Sequence, residues 1–146
     1  MMIKHFAGLA ATAALFATGA FAHSGDTGGR KLQTSLTGAA EVPGPGDPDG
    51  TGTAQITVNA GQNQVCYKLN VSNIAPATAA HIHEAAPTAA GPVVVTLGAP
   101  TSGMSSGCVT VTRELALEIL KDPADYYVNV HNAAFPAGAV RGQLAK

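Results

Sequence analysis

The chain has 146 residues, which is enough for one domain and short for two. Charged residues make up only 12% and the formal net charge is −1, so it lacks the basic surface that nucleic-acid binding requires. Hydrophobic residues reach 46%, sufficient for a core, but aromatics are only 5%; with 17 Gly and 9 Pro, this composition favours turns over long helices.

Residues 1–22 read as a secretory signal peptide. Lys4 and His5 give a weakly positive start, an apolar stretch from Phe6 to Phe16 follows, and Ala20-Phe21-Ala22 matches a small-x-small cleavage pattern. Cleavage after Ala22 predicts a periplasmic or secreted protein. No later apolar stretch approaches the roughly 20 residues of a membrane span. His23 would become the N-terminus, where amine and imidazole together can chelate copper. Residues 23–31 are Gly-rich and polar and are expected to form a flexible arm.

Leu32–Gly38 is a candidate first strand. Residues 41–52, EVPGPGDPDGTG, are too rich in Gly, Pro and Asp for regular structure. Thr53–Ala60 alternates, with Ala54, Ile56 and Val58 on one face. Gly61-Gln62-Asn63 then turns into a second alternating strand, Gln64–Ser72, which predicts a hairpin. Thr78–Glu84 is a short strand. Pro92–Leu97 is a continuous apolar run, expected to be buried on both faces, and Gly107–Val111 is another strand. Arg113–Lys121 has the one helical pattern: Thr112 can cap it, Leu115 and Ile119 are four apart, and Asp122-Pro123 ends it. Tyr126–His131 alternates again, and Phe135-Pro136-Ala137-Gly138 turns into Val140–Leu144. About eight short strands and one short helix over 32–146 predict an all-β fold. An antiparallel Greek-key β-sandwich or small barrel, of superoxide-dismutase or immunoglobulin type, fits this pattern.

Two cysteines in an exported domain point to one disulfide, Cys66–Cys108. Strand parity agrees: Cys66 lies with Lys68 and Asn70, away from Val65, Tyr67, Leu69 and Val71, and Cys108 lies with Thr110, away from Val109 and Val111. Both thiols therefore fall on the less apolar sides of their strands. The bridge would close a loop of about 40 residues, worth roughly 4 kcal/mol in the chain-entropy model.

Three histidines fall on strand-like segments. His81 and His83 are two apart, so they share a face with Cα atoms about 6.5 Å apart, and two imidazoles can meet one ion from there. His131 groups by parity with Tyr127 and Asn129, away from Val128 and Val130. It can join the pair if the two strands are neighbours. An imidazole cluster suits copper or zinc, and three His with an open position resemble a transfer site more than a closed structural one. Glu84 has the opposite parity and is a poor ligand candidate. Arg141 is expected to pair with a carboxylate, Glu41 being the candidate, or to hold loop carbonyls. Tyr126, Tyr127 and Phe135 are read as packing residues. Nucleophile, phosphate-loop, dinucleotide and His-Glu-x-x-His motifs are absent, so no catalytic residue is assigned.

Several of these segments together resemble the CHRD family, the domain named for its occurrence in chordin. They are Leu36-Thr37-Gly38-Ala39-Ala40-Glu41-Val42-Pro43, Ala79-Ala80-His81-Ile82-His83 and Gly91-Pro92-Val93-Val94-Val95. Further on come Asp125-Tyr126-Tyr127-Val128-Asn129-Val130-His131 and the run from Phe135 to Leu144. Many members carry an acidic residue just before the Val/Ile-Arg-Gly-Gln block, where this chain has Ala139. The resemblance implies an extracellular or periplasmic β-sandwich and no firmly established reaction. The leading expectation is a small exported binding module holding a transition metal, copper before zinc, on His81, His83 and His131. A structural or protein-interaction domain with a partner in the periplasm or extracellular space is the second reading. An enzyme of superoxide-dismutase type is the third.

Overall fold

A computed structural model describes residues 28–146. The expected signal peptide with its cleavage site, and His23, lie outside the described residues. Eight strands and one helix follow in the order β1 (Arg30–Thr37), β2 (Thr51–Asn59), β3 (Gln64–Ser72), β4 (Ala77–Glu84), β5 (Val93–Leu97), β6 (Met104–Thr110), α1 (Arg113–Lys121), β7 (Tyr126–Asn132) and β8 (Val140–Gln143). Arg30 and Lys31, expected at the end of a flexible arm, already pair with Val58 and Thr57.

The strands form one sheet in the order β5-β4-β7-β8-β1-β2-β3-β6, every pairing antiparallel. β1–β2–β3, β4–β5 and β7–β8 are neighbours along the chain as well as in the sheet. The links from β3 to β4 and from β6 to β7 cross over, in the manner of a Greek key. The expected all-β fold is thus a single nearly closed sheet, its end strands β5 and β6 packing against one another. The alternating residues explain the closure. Leu32, Leu36, Ala54, Ile56, Val58, Val65, Leu69, Ile82, Val128, Val130 and Val140 all point inward and share one core. Burying that face of every strand bends the sheet round on itself.

β5 differs from its expected burial. Val95 and Leu97 are inside, but Val93 is 47% exposed. The core covers this run only where Val95 and Leu97 sit, and Val94 is half-buried and Thr96 exposed, so the other face stays uncovered. The helix forms as its sequence predicts: the Thr112 hydroxyl accepts from the Leu115 amide at 3.2 Å, and Ala116 and Ile119 are buried in the core. Cys66 and Cys108 face each other directly in the β3–β6 register and are disulfide-bonded, as the strand parity indicated. An oxidising compartment suits such a bond.

Candidate metal centre

The site sits on the outer face of β4, β7 and β8. In these strands Ala80, Ile82, Val128, Val130 and Val140 turn inward, and pleat alternation sends their neighbours the other way. The register then sets the grid. Ala79 faces His131, His81 faces Asn129 and His83 faces Tyr127, while Asn129 faces Arg141 and Tyr127 faces Gln143. Three histidines separated by up to fifty positions in the chain therefore meet on one patch.

Two loops partly cover that outer face, leaving His83, Asn129 and Arg141 buried and His81 and His131 half-buried. Segment 85–91 contains Ala, Pro, Thr and Gly and no charged side chain, and it is held by its carbonyls. Arg141 Nη1 donates to the Ala89 oxygen at 2.9 Å and Nη2 to the Ala86 oxygen at 3.0 Å. Gln143 Nε2 donates to the Ala85 oxygen at 2.7 Å. The Tyr127 hydroxyl accepts from the Gly91 amide at 3.2 Å. On the other flank, Asn132 fixes the turn after β7: its Oδ1 accepts from the Phe135 amide at 2.8 Å and its Nδ2 donates to the Ala75 oxygen at 3.3 Å. Of the two roles open to Arg141, this is the carbonyl-holding one. Glu41 lies within electrostatic reach of the guanidinium and is itself buried.

His81, His83 and His131 each offer a ring nitrogen, and these atoms all lie within 4.8 Å of one another. His81 Nδ1 and His131 Nε2 are 3.1 Å apart. Bonds of about 2.0–2.1 Å to a common ion would set neighbouring nitrogens roughly 3–3.5 Å apart. One pair is already at that spacing, and the third nitrogen lies within 4.8 Å of both. The far nitrogens of two rings are engaged. His83 Nδ1 is 2.9 Å from the Gly91 oxygen and His131 Nδ1 is 3.1 Å from the Pro136 oxygen. A carbonyl oxygen only accepts, so both Nδ1 atoms carry the proton, and in the neutral ring Nε2 is left as a bare lone pair. His83 Nε2 is buried and has no hydrogen-bond partner.

Burial lowers the pKa of His81 below the usual histidine value, and the neighbouring His131 and His83 lower it further. Burial also lowers that of His131, against a raising contribution from its bond to Pro136. Both rings are thereby kept in the neutral form that binds metal. Glu41 moves the opposite way: burial pushes its carboxyl up to about 7, although Arg141 and hydrogen bonds from Asn129 and Val42 pull it down.

All three sequence-derived histidine positions thus converge, and Cys66–Cys108 lies across the sheet on β3 and β6. Glu84 is exposed, in keeping with its parity. Two residues carry more than sequence reasoning gave them. Tyr127 packs, as expected, but it packs on a candidate ligand: its ring is stacked on His83. Asn129 places Oδ1 at 2.9 Å from His131 Nε2. Its position two residues before His131, on the same face, was the available signal. The Gly91 and Pro136 carbonyls carry no signal in a single sequence, because any residue has one.

Compared with known families, residues 32–144 match the model of the CHRD domain. The chain belongs to the CHRD domain family. No curated protein and no solved structure matches it. The CHRD match spans every strand from β2 to β8 and most of β1, so the histidine face lies inside the family domain. No helix among the described residues is long and apolar enough to cross a membrane.

Proposed function

We propose that this CHRD domain is an exported binding module that holds one transition-metal ion, copper before zinc, on His81, His83 and His131. One observation carries the reading: three imidazoles bring ring nitrogens within 4.8 Å of one another, while backbone carbonyls hold the Nδ1 atoms of two of them. Carbonyl partners of this kind fix tautomer and ring orientation in metal-binding histidines. Three neutral nitrogen donors suit copper and zinc, and copper stands higher in the general affinity order.

A purely structural role for the histidines accounts for the bonds to Gly91 and Pro136. It leaves the buried Nε2 of His83 without a partner, which costs free energy and gains nothing. An ion at that point supplies the missing partner. The disulfide agrees with an exported protein, where thiols oxidise.

The test is a calorimetric titration of the metal-stripped, disulfide-bonded protein with copper(II) and with zinc. One-to-one binding that is lost in a His81→Ala/His83→Ala double variant is the expected result. Binding no tighter than that of a lone surface histidine, or unchanged binding by the double variant, would refute the proposal.

A further inference from the structure

We infer that Asn129 supplies a fourth donor to this centre through its side-chain oxygen, and that Glu41 holds the amide so that this oxygen faces the ion. The inference rests on the metal-binding reading above and specifies its donor set and the charge state it prefers.

Asn129 lies on β7 directly opposite His81 and two residues before His131, and is only 2% exposed. Its amide has one accepting end and one donating end, and the two ends meet different partners. Glu41 is hydrogen-bonded to the Asn129 side chain. An ionised carboxylate only accepts, so Nδ2 must face Glu41. Oδ1 then points the other way, to within 2.9 Å of His131 Nε2. Glu41 is itself fixed by close packing. A Cβ on Gly138, whose φ is +146°, would land on the Glu41 carboxyl group.

The consequence is a conflict of acceptors. His131 Nδ1 donates to the Pro136 oxygen, so Nε2 is a lone pair. That lone pair faces Asn129 Oδ1 at 2.9 Å and His81 Nδ1 at 3.1 Å. Nearby, His83 Nε2 is buried with nothing to pair with. Electron-rich atoms brought this close repel one another unless something positive lies among them. A proton on His81 Nδ1 satisfies its own pair with His131 Nε2 but leaves Asn129 Oδ1 and His83 Nε2 without a positive partner, whereas a single cation satisfies the whole group.

The resulting donor set is three imidazole nitrogens and one neutral amide oxygen. Oxygen is a hard donor, and adding it moves the preference from copper(I) towards copper(II). The Glu41 carboxylate, one amide away, places negative charge behind that oxygen without touching the ion. Glu41 is therefore a positioning residue and Asn129 a ligand.

The experiment uses the disulfide-bonded protein, stripped of metal, at pH 8, where Glu41 is ionised. Copper(II) and copper(I) affinities are measured by competition with chelators, and the copper(II) form is examined by electron paramagnetic resonance. In Asn129→Leu, which keeps the bulk and removes the oxygen, copper(II) affinity should fall about 10–100-fold. Its copper hyperfine splitting should change, while copper(I) affinity stays close to that of the wild type. Glu41→Gln should produce a smaller loss in the same direction. Should Asn129→Leu not fold, Asn129→Asp serves instead: an anionic oxygen in the same place should bind copper(II) more tightly and shift the spectrum. If the wild type binds copper(II) one-to-one and the Asn129 variants match it in affinity and spectrum, Asn129 is not a ligand and the three-histidine centre stands alone. If the wild type binds neither ion, both readings fall together.

Discussion

His83 and Tyr127 lie ring against ring, their planes 3° apart and their centroids 4.8 Å apart. The guanidinium carbon of Arg141 sits 3.4 Å from the centre of the same phenol ring. Three planar groups from three adjacent strands are thus in contact, and the imidazole is the one that faces the candidate ion. Its orientation depends on the ring it rests on and on the bond from its Nδ1 to Gly91.

Tyr127→Leu removes the flat surface under His83 and also the hydroxyl that accepts from the Gly91 amide. Copper affinity should fall about tenfold, the lower end of what loss of an outer-sphere partner costs. Tyr127→Phe keeps the stacking and should stay close to the wild type. Calorimetry on both variants checks this; equal affinity for Tyr127→Leu and wild type would show that the stack does not orient the ligand.

Arg141 is almost fully buried, at 1% exposure, and its work is to hold segment 85–91 by the Ala86 and Ala89 oxygens. Removing it takes the guanidinium donor from the Ala86 and Ala89 carbonyls, loses the cation–π contact and leaves a cavity where a fully buried side chain stood. Arg141→Ala should cost about 2–4 kcal/mol in urea unfolding. Arg141→Lys should recover little of this, because a lysine ammonium cannot reproduce the planar fork over the ring. A loss below about 0.5 kcal/mol, the level of an ordinary surface substitution, would refute the role.

The strands were legible because their inner faces alternate: Ala54, Ile56 and Val58 spell out β2, and its partner β3 has the bounds its pattern predicts. The cysteine bridge was legible by the same parity, as was the shared face of His81 and His83. The convergence of His131 was conditional, since a sequence without an alignment does not say that β7 lies beside β4. That pairing comes from the crossover topology, a long-range property of the packed sheet. The run from Pro92 to Leu97 misled for a related reason. Apolar content alone does not distinguish a strand covered on both faces from an edge strand such as β5. Asn129 looked ordinary and Glu41 was read only as a partner for Arg141, because their burial comes from loops folding over a sheet face that usually meets water.

The disulfide predicts a separation between stability and site. Cys66 and Cys108 are 42 positions apart and join β3 to β6, whereas the histidines stand on β4 and β7. A double Cys→Ser variant should lose about 4 kcal/mol, the chain-entropy value for a loop of this size. Its folded fraction should still bind copper with wild-type affinity. Urea unfolding and titration at low temperature measure the two separately, and a copper affinity that falls along with stability would contradict the independence of the two regions.

Glu41 predicts a pH dependence whose sign follows from its raised pKa. In the unfolded chain this carboxyl ionises near 4.5, and in the folded protein near 7. Below the first value both states hold the proton and there is no penalty. Between the two values the unfolded state has released its proton while the folded state keeps it, so folding stability falls as pH rises, and above about 7 the loss is complete. His81 and His131 act in the opposite sense, because their lowered values make the folded state lose stability as pH drops below the ordinary histidine range. Comparing wild type with Glu41→Gln isolates the carboxyl, since the histidine contributions are common to both. Measured by urea unfolding in the presence of a chelator, the variant should gain on the wild type as pH rises from 5 to 7, and the gap should then stay constant. Parallel stability curves over that range would mean that the Glu41 carboxyl is ionised without penalty in the folded protein, contrary to its burial beneath Gly138.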